Sequence, residues 1–510
     1  MATFSSRILG LVRDVVTAAF FATGTAADAF NVATRIPGLL RDLFAEGAMS
    51  AAFVPTLTRY LHVGGKPAAW RLGSNVINGL ITVTGVLVVL GLIFTEPLVG
   101  RFAGAYRNVP GKFELTVALA RVTLPFLMLI AVAAACMGML NAMRRFFIPA
   151  MSPALFNVVF IIATIVLVPY FGRIGVEPVM ALGVAMLLGG VAQILAQWPA
   201  LRTEGYRHQW ILNPKDPGLH EVLLLMGPGA IGVAAAQINL LVNTSLAAAQ
   251  AGGPSALNYA FRMMYMPIGI FGVSIATAAI PDIAKHAAAR EFDEMRKTLS
   301  WGVRLMLMLS VPATVGLMVL SRPIVELIYQ HGKFGPADTI SVAAALLFYA
   351  PGIVGYSVVK LLSTSFYSLQ DARTPVIVSL ITIGVNLTLN IWLNSIMGFH
   401  GLALGTAIAA NVNALLLITM LSRKIDGVDA ARLLPSLAKI LVASALMGVA
   451  AYYAEAALHH WLTSERLFAR LLRVGGGIGA GLATLAIAAG LLGIEEFSQA
   501  MRRVLGRFRR

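Results

Sequence analysis

The chain has 510 residues, 58% of them hydrophobic and only 12% charged, with a net charge of +16 and a mean hydropathy of +0.80. A soluble globular chain carries about twice that charged fraction, so the composition argues for an all-α polytopic membrane protein, the helix being the structure that satisfies its own backbone in lipid. The lone cysteine, Cys136, lies in an apolar run and leaves no disulfide framework, while the basic excess sits in loops and tails, which points to membrane orientation rather than to nucleic acid.

Fourteen apolar spans of about 20 residues or more, the length a bilayer core requires, are predicted at about 5–23, 28–58, 72–99, 114–142, 148–170, 177–200, 219–249, 255–284, 299–321, 339–369, 374–394, 400–422, 433–455 and 472–494. The first is already charged and lacks a positive leader followed by a small-residue cleavage site, so it reads as a span and not as a signal peptide. Loops on one side carry about 21 lysines and arginines, among them Arg59, Lys66, Arg144, Arg145, Lys285, Lys297, Arg373, Arg423 and the five C-terminal arginines. Loops on the other side carry about eight, including Arg101, Arg107, Lys112, Lys333, Arg466 and Arg470. The positive-inside rule then places both termini in the cytoplasm.

The first two spans are charged far beyond what anchoring needs. Arg7, Arg13, Asp14, Asp28, Arg35, Arg41, Asp42 and Glu46 lie within or at the ends of them, although a charge at membrane depth costs at least about 2.5–3.5 kcal/mol on insertion scales. Seven residues is roughly two helical turns, so Arg7 and Asp14 share a face, as do Asp28, Arg35 and Asp42. Two readings remain open: an ion-pair network that holds helices together, or a cavity that handles an anion. Ile36-Pro37-Gly38 predicts a kink or break between Arg35 and Arg41.

An internal repeat follows. Asn31-x-x-x-Arg35 returns as Asn258-x-x-x-Arg262, and Phe44 as Phe271, at an offset of 227; Pro55, Pro125 and Pro149 return as Pro281, Pro351 and Pro375 at 226. Two six-span halves of one orientation are expected, related by an axis along the membrane normal and with sites at their interface. The expected organisation is a lobe at 1–210, a second at 211–425, two extra helices at 426–495 and a basic cytoplasmic tail at 496–510, which fits either an interfacial helix or a disordered segment.

Arg262 and Lys360 lie within apolar spans of the second half, and Arg121 and Arg304 either join them or snorkel to an interface. Planar guanidinium groups suit the oxygens of a phosphate or pyrophosphate. Asn243, Asn386 and Asn390 offer amide oxygens to a cation or hydrogen bonds between helices. Gly477 and Gly481 have the spacing of a helix-packing face. No phosphate-binding GxxxxGK[ST] loop and no HExxH metal helix occurs, so neither an enzyme, a cofactor nor a metal is expected.

SRILGLVRD, Ala27-Asp28-Ala29-Phe30 and above all LLRDLFAEGAMSAAFVP resemble the MurJ (MviN) family of lipid II flippases, within the multidrug/oligosaccharidyl-lipid/polysaccharide exporter superfamily. Gly227-Pro228, Tyr259-Ala260-x-Arg262, Gly332-Lys333-Phe334 and FYSLQDARTP extend the resemblance over nearly the whole chain. It implies two six-helix lobes plus two helices that form a groove for a polyprenyl tail. The implied activity is transfer of undecaprenyl-pyrophosphate-linked peptidoglycan precursor from the cytoplasmic to the periplasmic leaflet of the inner membrane, with membrane lipid and wall-synthesis proteins as partners. At matching positions it implies substrate binding by Arg7, Arg13, Asp28, Arg41 and Arg262. The acids would partner the arginines in an empty cavity and yield to pyrophosphate. Phe261 and Tyr265 stand where many members have acids, and Asn243 and Asn390 where acids would bind sodium, which speaks against sodium coupling. The rival readings are a flippase for another polyprenyl-linked glycan, a multidrug antiporter of this fold, and a non-transporting scaffold of wall synthesis.

Overall fold

A computed structural model describes residues 2–45, 48–464 and 466–497, with side chains described for all of these except 2–4, 39–51, 225–236, 238, 273 and 430. Among the described residues the chain is helical, with no strand. The helices are α1 (Ala2–Phe21), α2 (Thr25–Ala45), α3 (Ala48–Ile93), α4 (Thr95–Ala103), α5 (Lys112–Thr123), α6 (Phe126–Ala142), α7 (Phe147–Arg173), α8 (Met180–Thr203), α9 (Pro217–Ala248) and α10 (Gly253–Pro267). They continue with α11 (Val273–Ala289), α12 (Phe292–Val319), α13 (Ser321–Tyr329), α14 (Pro336–Tyr349), α15 (Gly352–Ser368), α16 (Arg373–Met397), α17 (Phe399–Lys424), α18 (Ala430–Trp461) and α19 (Leu467–Leu491).

Ten helical stretches among the described residues are long and apolar enough to cross a membrane, eleven if the bent pair α14–α15 is one span. The expected fourteen is not reached on length and apolarity alone. The charges of α1 and α2 keep both below that standard.

Sequence chemistry explains the boundaries. Pro37 does not end α2, which runs through it to Ala45. Two other prolines do interrupt helices. Pro125 separates α5 from α6, and Pro351 separates α14 from α15, which meet at 44°. A proline strips one rung from the helical ladder and frees carbonyls that need other donors. At the second break Thr314 Oγ1 donates to Ala350 O at 3.2 Å and Asn411 Nδ2 to Pro351 O at 2.9 Å. After Pro267 the ladder widens into one π-helical turn, Ile268–Gly272. The starts of α4, α6 and α7 recur as those of α13, α15 and α16, each 226 residues later.

The chain packs as two units, residues 1–255 with 332–334 and residues 256–331 with 335–510. The first reaches past the boundary expected near 210, because α9 packs on α3. Its cores include Phe102, Phe126 and Leu182, and Phe53, Trp70 and the buried Cys136. The second is centred on Ile283, Met306, Leu361, Phe366 and Met447. Within it α19 packs on α18 with Gly477 and Gly481 against Ala451 and Met447. After α19 the chain folds back, so that Glu496 pairs with Arg304 at 2.9 Å and neutralises it. Residues 498–510 of the expected tail lie outside the described residues.

Candidate functional site

On α1, Arg13 turns to its sequence neighbour. Its Nε and Nη2 donate to Asp14 Oδ1 at 3.1 and 2.9 Å, and its guanidinium lies 5.5 Å from the centre of the Phe160 ring. A long side chain can bridge adjacent residues that do not share a helix face. Arg7, half-buried two turns earlier, makes no ion pair or hydrogen bond among the described residues. The stripe pairing of Arg7 with Asp14 is therefore not formed.

On α2, Asp28 is fully buried. Its Oδ2 accepts from Lys112 Nζ at 2.8 Å and from the backbone N–H of Gly252 at 2.9 Å. Its Oδ1 accepts from Ser255 N–H at 3.1 Å and Ser255 Oγ at 2.7 Å. Ser255 lies in the first turn of α10, so Asp28 caps a helix start remote from it in sequence, where the unpaired N–H groups and the dipole favour an anion. This corrects the expectation that Asp28 is neutralised along its own stripe: the partner is Lys112, which the loop reading had placed outside the apolar helices. Lys112 is 3% exposed, with Nζ 4.0 Å from the centre of the Tyr106 ring. The buried Tyr106 hydroxyl makes no hydrogen bond among the described residues, and burial, with Asp28 adding to it, pushes its pKa up.

Two glycines fit this end of the unit closely. Gly252 has φ +73°, and a Cβ there would lie 2.9 Å from Thr23 O. Gly332 has φ +62° and a Cβ would collide with Ala19 O, to which the neighbouring Lys333 N–H donates at 2.8 Å. The Gly332-Lys333-Phe334 motif is thus a turn that only glycine can open.

Arg35 is half-buried on α2 and engaged. The side chains of Arg41 and Asp42, and Glu46 itself, lie outside the described residues. In the second unit, Arg262 is half-buried on α10 and engaged, and Lys360 is exposed on α15. Asn390 Nδ2 donates to Asn386 Oδ1 at 3.1 Å, and Asn390 closes on Gly405 of α17. In the first unit Asn243 Nδ2 donates to Asn239 Oδ1 at 2.9 Å. No group of three His, Cys, Asp or Glu side chains able to hold a metal occurs among the described residues.

A second buried charge cluster was missed by sequence reasoning. Arg470 and Arg473 of α19 are 6% and 4% exposed and share Glu326 Oε1 of α13 at 3.1 and 3.2 Å. Arg470 Nη1 also donates to the carbonyls of Glu326 and Gln330, and Arg473 meets His459 of α18. Just past the end of α8, Arg145 and Lys66 hold the Glu204 carboxyl below its usual range. Lys424, aided by Thr374, does the same to Asp371, the acid of the FYSLQDARTP motif.

A family model described as "Lipid II flippase MurJ" matches residues 17–472. The chain is 35% identical to a probable lipid II flippase MurJ of Vibrio cholerae, over 97% of this chain and 94% of the other. It is 34% identical to one of Rhizobium meliloti, over 96% and 92%. A solved lipid II flippase MurJ in an inward closed conformation superposes with a TM-score of 0.77 at 27% identity, covering 96% of this chain and 98% of that one. An inward-facing multidrug transporter of the MATE family superposes at 0.66 with 15% identity, over 82% and 94%, a likeness of fold alone. The match of sequence and of structure runs along almost the full chain, and the chain belongs to the MurJ lipid II flippase family.

Proposed function

We propose that the chain is a transporter that flips lipid II from the cytoplasmic to the periplasmic leaflet of the inner membrane by alternating access. The observation that carries this is family membership over nearly the whole length. α1, α2 leading into α3, and α9 cross the membrane together with the eleven apolar spans, which makes fourteen with both termini in the cytoplasm. Two repeated lobes of six helices and a C-terminal pair then follow from the 226-residue offset.

Arg7, Arg13, Arg41 and Arg262 take the pyrophosphate, with Arg35, Asp42, Glu46 and Lys360 as supporting charges. The absence of an ion-pair partner for Arg7 among the described residues supports this, because a half-buried guanidinium without a carboxylate is a ready hydrogen-bond donor to an anion. Asp14 is the acid that Arg13 exchanges for substrate. Asp28 acts by positioning, since its oxygens are already saturated. The two C-terminal helices carry the polyprenyl tail, and wall-synthesis proteins are the partners.

The test is a lipid II accessibility assay in cells depleted of the protein and complemented with variants. Wild type restores outward transfer, whereas Arg13→Gln and Arg41→Gln insert and fold but lose about 10-fold or more of the activity, as expected for the loss of a charged hydrogen-bond donor to a phosphate. Normal transfer by Arg41→Gln would favour a scaffold, and a change in drug resistance without accumulation of lipid II would favour a multidrug antiporter.

A further inference from the structure

α10 has two faces of different character. Ala256, Tyr259, Ala260, Met263 and Met264 are buried, Tyr259 against Tyr329 at 5.1 Å. The other face carries Asn258, Phe261, Arg262 and Tyr265, spaced i, i+3, i+4 and i+7. Here Asn258, Phe261 and Arg262 are half-buried and Tyr265 is 46% exposed. The Phe261 and Tyr265 rings stack at 5.7 Å with 24° between planes, and Tyr349 of α14 braces Phe261 edge-on at 5.6 Å and 73°.

Lipid would cover the rings without penalty, but not the guanidinium and amide on the same stripe, both of which are engaged. The stripe therefore faces away from lipid. A braced aromatic pair on the same helix face as a cation matches a ligand that carries a flat, C–H-rich surface next to an anionic group. A pyranose joined to a pyrophosphate has both. The C–H bonds of one sugar face carry partial positive charge and meet the electron-rich ring face, while the hydroxyls point outward to water or to the Tyr265 hydroxyl.

We propose that Phe261 and Tyr265 form the platform on which the sugar next to the pyrophosphate stacks, with Arg262 holding the pyrophosphate between them. The inference rests on lipid II being the substrate and adds what selects its glycosylated form.

The test compares two ligands of the same tail and pyrophosphate, lipid II and undecaprenyl pyrophosphate, bound to the purified full chain in detergent. Wild type should prefer lipid II. Tyr265→Leu and Phe261→Leu should each weaken lipid II by roughly two- to tenfold, the range of one aromatic contact, and leave undecaprenyl pyrophosphate unchanged. Tyr265→Phe and Phe261→Tyr should keep the preference. Equal loss for both ligands, or no loss for either, overturns the platform. Wild type binding both ligands equally overturns it while the flippase reading stands. Wild type binding neither sinks the flippase reading and the platform with it.

Discussion

The two units bury charge with opposite arithmetic and to the same end. In the first, one carboxylate meets one ammonium, Asp28 and Lys112, 84 residues apart. In the second, one carboxylate meets two guanidiniums, with Glu326 144 and 147 residues from Arg470 and Arg473. The excess cation does not go unused, because Arg470 closes the last carbonyls of α13. Asp28 correspondingly closes the first N–H groups of α10. An anion at a helix start and a cation at a helix end are the two favourable senses of one dipole. In both of these clusters the buried charge terminates a helix, and the ion pair lowers the cost of doing so in an apolar setting.

The sharpest way to break this comparison is Glu326→Gln. It strands two guanidiniums that are almost fully buried, and removing one partner of a buried pair costs about 3–5 kcal/mol. Thermal unfolding in detergent should show a loss in that range. A loss below about 1 kcal/mol would mean that carbonyls alone satisfy the arginines and that Glu326 is incidental.

Lys112→Met should cost somewhat less, about 3 kcal/mol, because Asp28 keeps three other donors. Adding Asp28→Asn should recover part of the loss, since the stranded charge disappears with it. If the double variant is less stable than the sum of the singles predicts, the pair is not the unit that matters.

Periodicity made most of the helices legible, but the spans expected at 114–142 and 339–369 run unbroken through Pro125 and Pro351, where the structure interrupts them. The recurrence of Asn31-x-x-x-Arg35 as Asn258-x-x-x-Arg262 likewise marked two corresponding helices. What was not legible was pairing. Spacing suggested that Asp14 would answer Arg7, but the flexible Arg13 side chain reaches Asp14 first. Lys112, Arg466 and Arg470 all look like loop residues, since each sits at the edge of an apolar run. Only tertiary packing distinguishes the buried Lys112 and Arg470 from the exposed Arg466. Pro37 does not give the break that is one of its two readings, because α2 continues through it to Ala45.

The two proline breaks offer a finer comparison. Asn411→Leu removes the donor to Pro351 O and leaves a carbonyl in need of water. The expected cost is about 1 kcal/mol, the worth of one hydrogen bond, read as a lower unfolding temperature. Thr314→Val should have a smaller effect, because Ala350 O also accepts from the Ile353 N–H at 3.0 Å. No change from either would show that the 44° bend between α14 and α15 is held by side-chain packing rather than by its carbonyls.

The smallest effect should come from Asp371, which follows the same rule as Asp28 but near solvent. Its Oδ1 accepts from Thr374 N–H at 3.1 Å in the first turn of α16, and its Oδ2 accepts from Thr374 Oγ1 at 2.7 Å and Lys424 Nζ at 2.6 Å. Lys424 is 40% exposed, so water screens the pair and the charge is worth only about 0.5–1 kcal/mol. The folded carboxyl titrates below its ordinary value. Its stabilisation is therefore fully present above the unfolded pKa of about 3.9 and is lost as pH falls through the lower folded value. Asp371→Asn, which removes the charge and keeps the shape, should be about 0.5–1 kcal/mol less stable than wild type at pH 7, and the gap should close as pH drops below about 4. A gap that persists in acid would trace the loss to hydrogen-bond geometry. A loss at pH 7 as large as that of Lys112→Met would show that burial is not what separates the two sites, and that the cap itself carries the energy in both.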